Sequence, residues 1–174
     1  GVIAGETTST GALITGYVLP LAAISAVAGF VGGSVIGRTL PFVGYYRVSM
    51  VAGITGAIIT LVMAVVGVFV MSLIVNALAP TFGGEKDSMQ AMKVVAYSYT
   101  PAWLTGILLV LPLLGTLATL VGGLFGLYLL YLGLPKLMKA PQDKAIAYTA
   151  VSIVCAIVVS VVLTGVSAAL VGAG

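Results

Sequence analysis

Histidine is absent from this 174-residue sequence, cysteine occurs once, and formal charge is scarce: seven Lys or Arg and four Asp or Glu. Each shortage excludes something. A soluble domain carries about 25% charged residues, so a chain at 6% cannot clothe a water-facing surface. Without His there is no Ser–His or Cys–His nucleophilic pair and no Cys/His metal site. The single Cys155 forms no disulfide within the chain and reads as a small buried hydrophobe. The four acids, Glu6, Glu85, Asp87 and Asp143, fall in expected loops or in the N-terminal tail. There they are solvated rather than held beside a reacting centre, as general acid–base work requires. No glycine-rich phosphate loop with a following Lys is present. The sequence therefore points away from an enzyme, and no cofactor, metal or nucleic-acid partner is expected.

What the chain has is long apolar runs. It is 61% hydrophobic, with a mean hydropathy of +1.27. The stretches Val51–Leu78 and Ala145–Val171 contain no charge. A spanning helix needs about 20 mostly apolar residues, whereas a membrane β-barrel would show alternating segments of about ten. The expected fold class is all-α, a polytopic bundle of five transmembrane helices. It follows a short tail, residues 1–10, and its spans lie at roughly 11–37, 51–78, 91–111, 114–134 and 145–172.

Several residues shape these spans. Pro20 predicts a bend or tilt in the first, because an internal proline removes a backbone hydrogen bond. Arg38–Met50 reads as a short interfacial helix or a tight loop, since Arg beside Tyr suits the headgroup level. Asp87 or Ser88 is a candidate cap for the third span. Pro112 and Gly115 mark a short turn that makes the third and fourth spans antiparallel neighbours. Gly29, Gly33 and Gly37, and likewise Gly122 and Gly126, recur every four residues. They offer small faces for close helix contact within the bundle or in a homo-oligomer.

Charge asymmetry sets the expected orientation. Lys86, Lys93, Lys136, Lys139 and Lys144 fall on one side of the five-span arrangement and Arg38 and Arg47 on the other. The lysine side is then cytoplasmic, with the N-terminus inside and the C-terminus outside. No ionisable residue is expected deep in a span, which argues against a proton-coupled pump. The candidate site gathers Lys93, Lys136 and Lys139 with Tyr97, Tyr99, Trp103, Tyr128 and Tyr131, and a kink at Pro101 opens a groove among them. Such a basic, aromatic patch suits anionic lipid headgroups. The plainer reading is an aromatic belt with topology-setting lysines.

Two stretches carry a family likeness. One is Ala79-Pro80-Thr81-Phe82-Gly83-Gly84 followed by Ala96-Tyr97-Ser98-Tyr99-Thr100-Pro101-Ala102-Trp103. The other is Leu129–Lys139 with Pro141 and Tyr148. With the Pro-Phe-Val-Gly-Tyr-Tyr-Arg connector, the sequence over roughly residues 38 to 165 resembles the Yip domain family of Ypt- or Rab-interacting membrane proteins, in its bacterial inner-membrane branch. The resemblance implies five spans, a cytoplasmic N-terminus, an external C-terminus and no catalytic residues. The expected function is that of a non-enzymatic membrane protein that binds lipids or partner proteins and organises the membrane. The alternative is a small solute or ion transporter or channel.

Overall fold

The structure, a computed structural model, describes residues 9–40 and 44–172. Five helices follow one another: α1 Thr10–Ile36, α2 Met50–Leu78, α3 Ser88–Thr105, α4 Pro112–Leu137 and α5 Gln142–Gly172.

The starts of α1, α2 and α3 each have a local cause. The Ser9 hydroxyl accepts from the Ala12 N–H, Ser49 does the same for Ala52, and the Asp87 carboxylate accepts from both Met89 and Gln90. These caps satisfy amides that have no partner inside the helix. In α1 the backbone widens into π-helical turns over Ile14–Val18 and again over Val31–Ile36. The first lies just ahead of Pro20, where the Leu19 N–H reaches back to Ile14. This insertion accommodates a proline ring that a regular turn would push against a carbonyl.

The connector after α1 departs from both sequence expectations. It is a small antiparallel hairpin, β1 Arg38–Leu40 against β2 Gly44–Tyr46, with Arg38 opposite Tyr46 and Leu40 opposite Gly44. The fold is therefore helical apart from this two-stranded ribbon. Pro41, Phe42 and Val43 lie outside the described residues. The hairpin completes the end of α1, whose last carbonyls have no helical partner. Arg47 donates from Nε and Nη2 to the Ser34 carbonyl at 3.2 and 2.9 Å, and Tyr45 Oη donates to Ile36 at 2.7 Å.

Among the described residues, four stretches are long and apolar enough to cross a membrane: Thr10–Ile36, Met50–Phe82, Leu117–Leu137 and Gln142–Leu170. The expected third span, α3, is not among them. It has 18 residues before the backbone tightens into a 3₁₀ turn over Gly106–Val110, and it is richer in hydroxyls. The reason is its position. Every residue from Ala91 to Ala96 is buried, so this half of the helix meets protein. By contrast α2, α4 and α5 expose Val, Leu and Ile along much of their length. Helices in lipid must be apolar outside, and polar groups are kept for the interior.

α3 and α4 form the tightest pair. A Cβ on Gly126 would strike the Ser98 carbonyl, and one on Gly122 the Thr105 hydroxyl and the Pro101 carbonyl. Farther along, a Cβ on Gly115 would strike the Leu108 carbonyl. The glycine spacing seen in the sequence thus lets two backbones touch inside the bundle. Pro101 does not end α3, which stays helical to Thr105, where the hydroxyl bonds the Pro101 carbonyl at 2.8 Å.

The bundle is dense at the lysine-bearing end and splayed at the other. Val75, Ala79, Ala91, Leu134, Met138 and Tyr148 are almost wholly buried near the lysine end. Along α5 the last buried residue described is Ser152, and the helix then runs half-exposed or exposed to Leu170.

Candidate functional site

The two stretches that carried the family likeness meet in space. Pro80 and Gly83 end α2 in a 3₁₀ turn, with Gly83 at φ 75°, a left-handed angle that suits glycine. The chain then folds under the α4–α5 corner. Gly84 N–H donates to Ala79 and Glu85 N–H to Met138, both at 2.8 Å. Phe82 stacks on Tyr148, whose hydroxyl donates to the Val75 carbonyl. Glu85 and Lys139 close the corner with an exposed ion pair of 2.6 Å. The hydrogen bond that Lys139 donates to Glu85, and then the charge of Glu85, raise the Lys139 pKa above the ordinary lysine range. These motif residues therefore tie the α2–α3 turn to the α4–α5 turn.

The nine residues of the candidate patch occupy three settings rather than one groove. Lys93 is not exposed as a headgroup lysine would be; it is fully buried, within the stretch Ala91–Ala96 of α3 that is buried throughout. Lys93, Tyr97 and Thr100 share a helix face at steps of four and three, and Tyr17 of α1 touches two of them. Its ring packs edge-on to Tyr97 at 4.9 Å, and its hydroxyl lies 2.8 Å from Thr100 Oγ1. Tyr99, Pro101 and Trp103 are half-buried, and the rings of Tyr99 and Trp103 stack at 5.8 Å. Tyr128, Tyr131, Lys136 and Lys139 are exposed, on α4 and just past its end.

The structure adds a groove that no motif marked. A cavity of about 770 Å³ opens between α4 and α5, with parts of α2 and α3 as its floor. Leu117, Leu120, Leu127, Ile157 and Val161 form its walls, and Ser98 and Tyr99 supply polar atoms. Tyr131 follows Leu127 by one helical turn toward the lysine end. Tyr99 is thus the member of the sequence-derived set that lines the groove. Most of the others that line it are apolar, and in a chain so apolar throughout they carried no signal. A second cleft of about 540 Å³ opens among α1, α2 and the far half of α5.

The sequence model of the Yip1 domain matches residues 2–163, and the chain belongs to that family. It is 26% identical over 166 residues to inner membrane protein YohC of Escherichia coli strain K12, covering 92% of this chain and 83% of that protein. YohC of Escherichia coli O6:H1 strain CFT073 matches with the same figures. No solved structure matches the chain.

Proposed function

We propose that this Yip1-domain chain is a non-enzymatic, five-span protein of the bacterial inner membrane that holds a lipid in the groove between α4 and α5 and so organises the surrounding membrane. The groove itself carries the reading. It is large, almost wholly apolar, and open sideways between two helices that face the bilayer. An acyl chain is the ligand that lipid supplies to such a surface. Tyr131 and Lys136, exposed toward the lysine end of α4, suit the headgroup.

The fifth span is α3. With the 3₁₀ turn that continues it, its contacts with α4 run from Val94 at Gly133 to Leu108 at Gly115. The 18 steps from Gly115 to Gly133 rise about 27 Å at 1.5 Å each, close to the hydrocarbon thickness of about 30 Å. A helix that accompanies a spanning neighbour over that depth crosses with it, and its protein surroundings explain its polarity. The five-to-two excess of Lys and Arg supports a cytoplasmic lysine end.

Groove filling is the test. Gly123 lines the groove and has open space where a Cβ would go, so Gly123→Leu adds bulk there without meeting backbone. Native mass spectrometry of the wild type should show retained phospholipid, and the variant should retain several-fold less while keeping its helical content. Equal retention would refute the groove as the lipid site. Solute flux across proteoliposomes that Gly123→Leu blocks would move the reading to a transporter.

A further inference from the structure

The groove between α4 and α5 is not spread evenly over the depth of the bundle. Toward the lysine end it is closed, where Leu134, Tyr148 and Ser152 are fully buried. It opens at Leu130 and Ile153 and continues to Leu117 and Val161. Depth can be counted from Leu137 and Gln142, the lysine ends of α4 and α5. At 1.5 Å per residue, α4 lines the groove from about 10 Å to about 30 Å below that level. A hydrocarbon core of about 30 Å gives each leaflet about 15 Å. A chain that hangs from a headgroup at Lys136 therefore fills only the first part of the groove. The larger part lies in the other leaflet.

Two hydroxyls mark the far end of that larger part. Thr119 of α4 and Ser160 of α5 both line the groove, and each lies about 27 Å from the lysine end of its helix. That is the level at which the ester groups of the far leaflet meet the hydrocarbon. The Thr119 hydroxyl donates to the Gly115 carbonyl at 2.7 Å. Ser160 is exposed, so its O–H is open to an acceptor on a ligand, and an ester carbonyl is an acceptor. Between this level and Leu130 the walls are apolar, with Leu120, Leu127 and Ile157 at the sides and Met71 and Val95 where the groove closes. The apolar run is about 16 Å long, which matches the depth of one leaflet.

We propose that chains from both leaflets share the groove, and that its larger, far part takes an acyl chain of a phospholipid from the leaflet opposite the lysines, with an ester oxygen accepting from the Ser160 hydroxyl. The inference rests on the reading of the groove as a lipid site and adds which leaflet supplies its main occupant. The two chains meet end to end inside the protein, which ties the leaflets together at that point.

The test uses the whole chain in mild detergent, with phosphatidylglycerol as the probe and bound lipid counted by native mass spectrometry. The wild type should hold two lipids. Ser160→Phe fills the far part of the groove from an exposed position and should remove one of them. Lys136→Gln should weaken the other and leave the first in place. Ser160→Ala deletes a single oxygen and should weaken the first about fivefold, equivalent to one hydrogen bond of about 1 kcal/mol. Two lipids retained at wild-type strength in both Ser160 variants overturn the inference. If Gly123→Leu still loses lipid beside that result, the groove reading stands without it; if Gly123→Leu loses none, both fall. A single lipid in the wild type, weakened alike by Ser160→Phe and Lys136→Gln, overturns the inference in favour of one long chain that enters from the lysine end.

Discussion

Phe82 lies almost flat on Tyr148, with ring centroids 5.1 Å apart and planes 11° from parallel. One ring belongs to the turn after α2 and the other to the second turn of α5, 66 residues later in the chain. The stack, the Tyr148–Val75 hydrogen bond and the Glu85–Met138 backbone bond hold three helix ends together. These contacts gather the ends of α2, α4 and α5 at the lysine end of the bundle.

The aromatic pair should be measurable by itself. Phe82→Leu and Tyr148→Leu, alone and combined, should show a coupling of about 0.5–1.5 kcal/mol in a thermal or denaturant unfolding cycle. Tyr148→Phe keeps the stack and removes one of the two hydrogen bonds at the Val75 carbonyl, which still accepts from the Ala79 N–H, so it should cost about 0.5–1.5 kcal/mol. Additive single effects would show that the two rings are neighbours without being partners.

Glycines of the same residue type should behave in opposite ways. Gly126→Leu forces a side chain into the Ser98 carbonyl, and the α3–α4 pair must separate. The purified variant should aggregate or lose its sharp unfolding transition. Gly29→Leu and Gly16→Leu meet nothing within 4 Å and should give well-behaved protein. If all three variants behave alike, the close approach of α3 and α4 is wrong.

The exposed pair of Glu85 and Lys139 should contribute little, since both side chains are about two-thirds exposed and water screens such pairs. Because folding raises the Lys139 pKa, its stabilisation is complete below the ordinary lysine range and disappears as the pH climbs through the higher folded value. Glu85→Gln should therefore lower the melting temperature slightly at neutral pH and low salt. The difference from wild type should vanish in high salt and at strongly alkaline pH. A difference that persists in high salt would mean that Glu85 acts through the packing of its loop instead.

Orientation has its own readout. A reporter fused after Gly174 should report the outside of the membrane and one inserted beside Glu85 the cytoplasm, because five spans put those points on opposite sides. The same side for both would mean that α3 does not cross.

Lys93 shows where reading by sequence stopped. It stands at the start of an apolar run beside tyrosines, which is also how a headgroup lysine looks. Only the packing of α3 inside the bundle, where every residue from Ala91 to Ala96 is buried, places it inside. The hairpin after α1 was hidden for a similar reason. Tyr45 and Arg47 read as interfacial residues, but their partners are the carbonyls of Ile36 and Ser34, and a linear sequence does not show which carbonyls remain unpaired.

Composition alone determined that the chain lives in a membrane, because so few charges leave lipid as its only solvent. Local sequence determined most helix ends, since Ser9, Ser49, Asp87, Pro112 and Gly83 act within a few residues of themselves. The meeting of Phe82 with Tyr148, the burial of Lys93 and the groove beside Tyr99 were decided by tertiary structure. In a chain this apolar, hydrophobicity no longer distinguishes a core face from a lipid face. The inner faces are selected instead by where small residues let backbones touch and where hydroxyls find carbonyls on another helix.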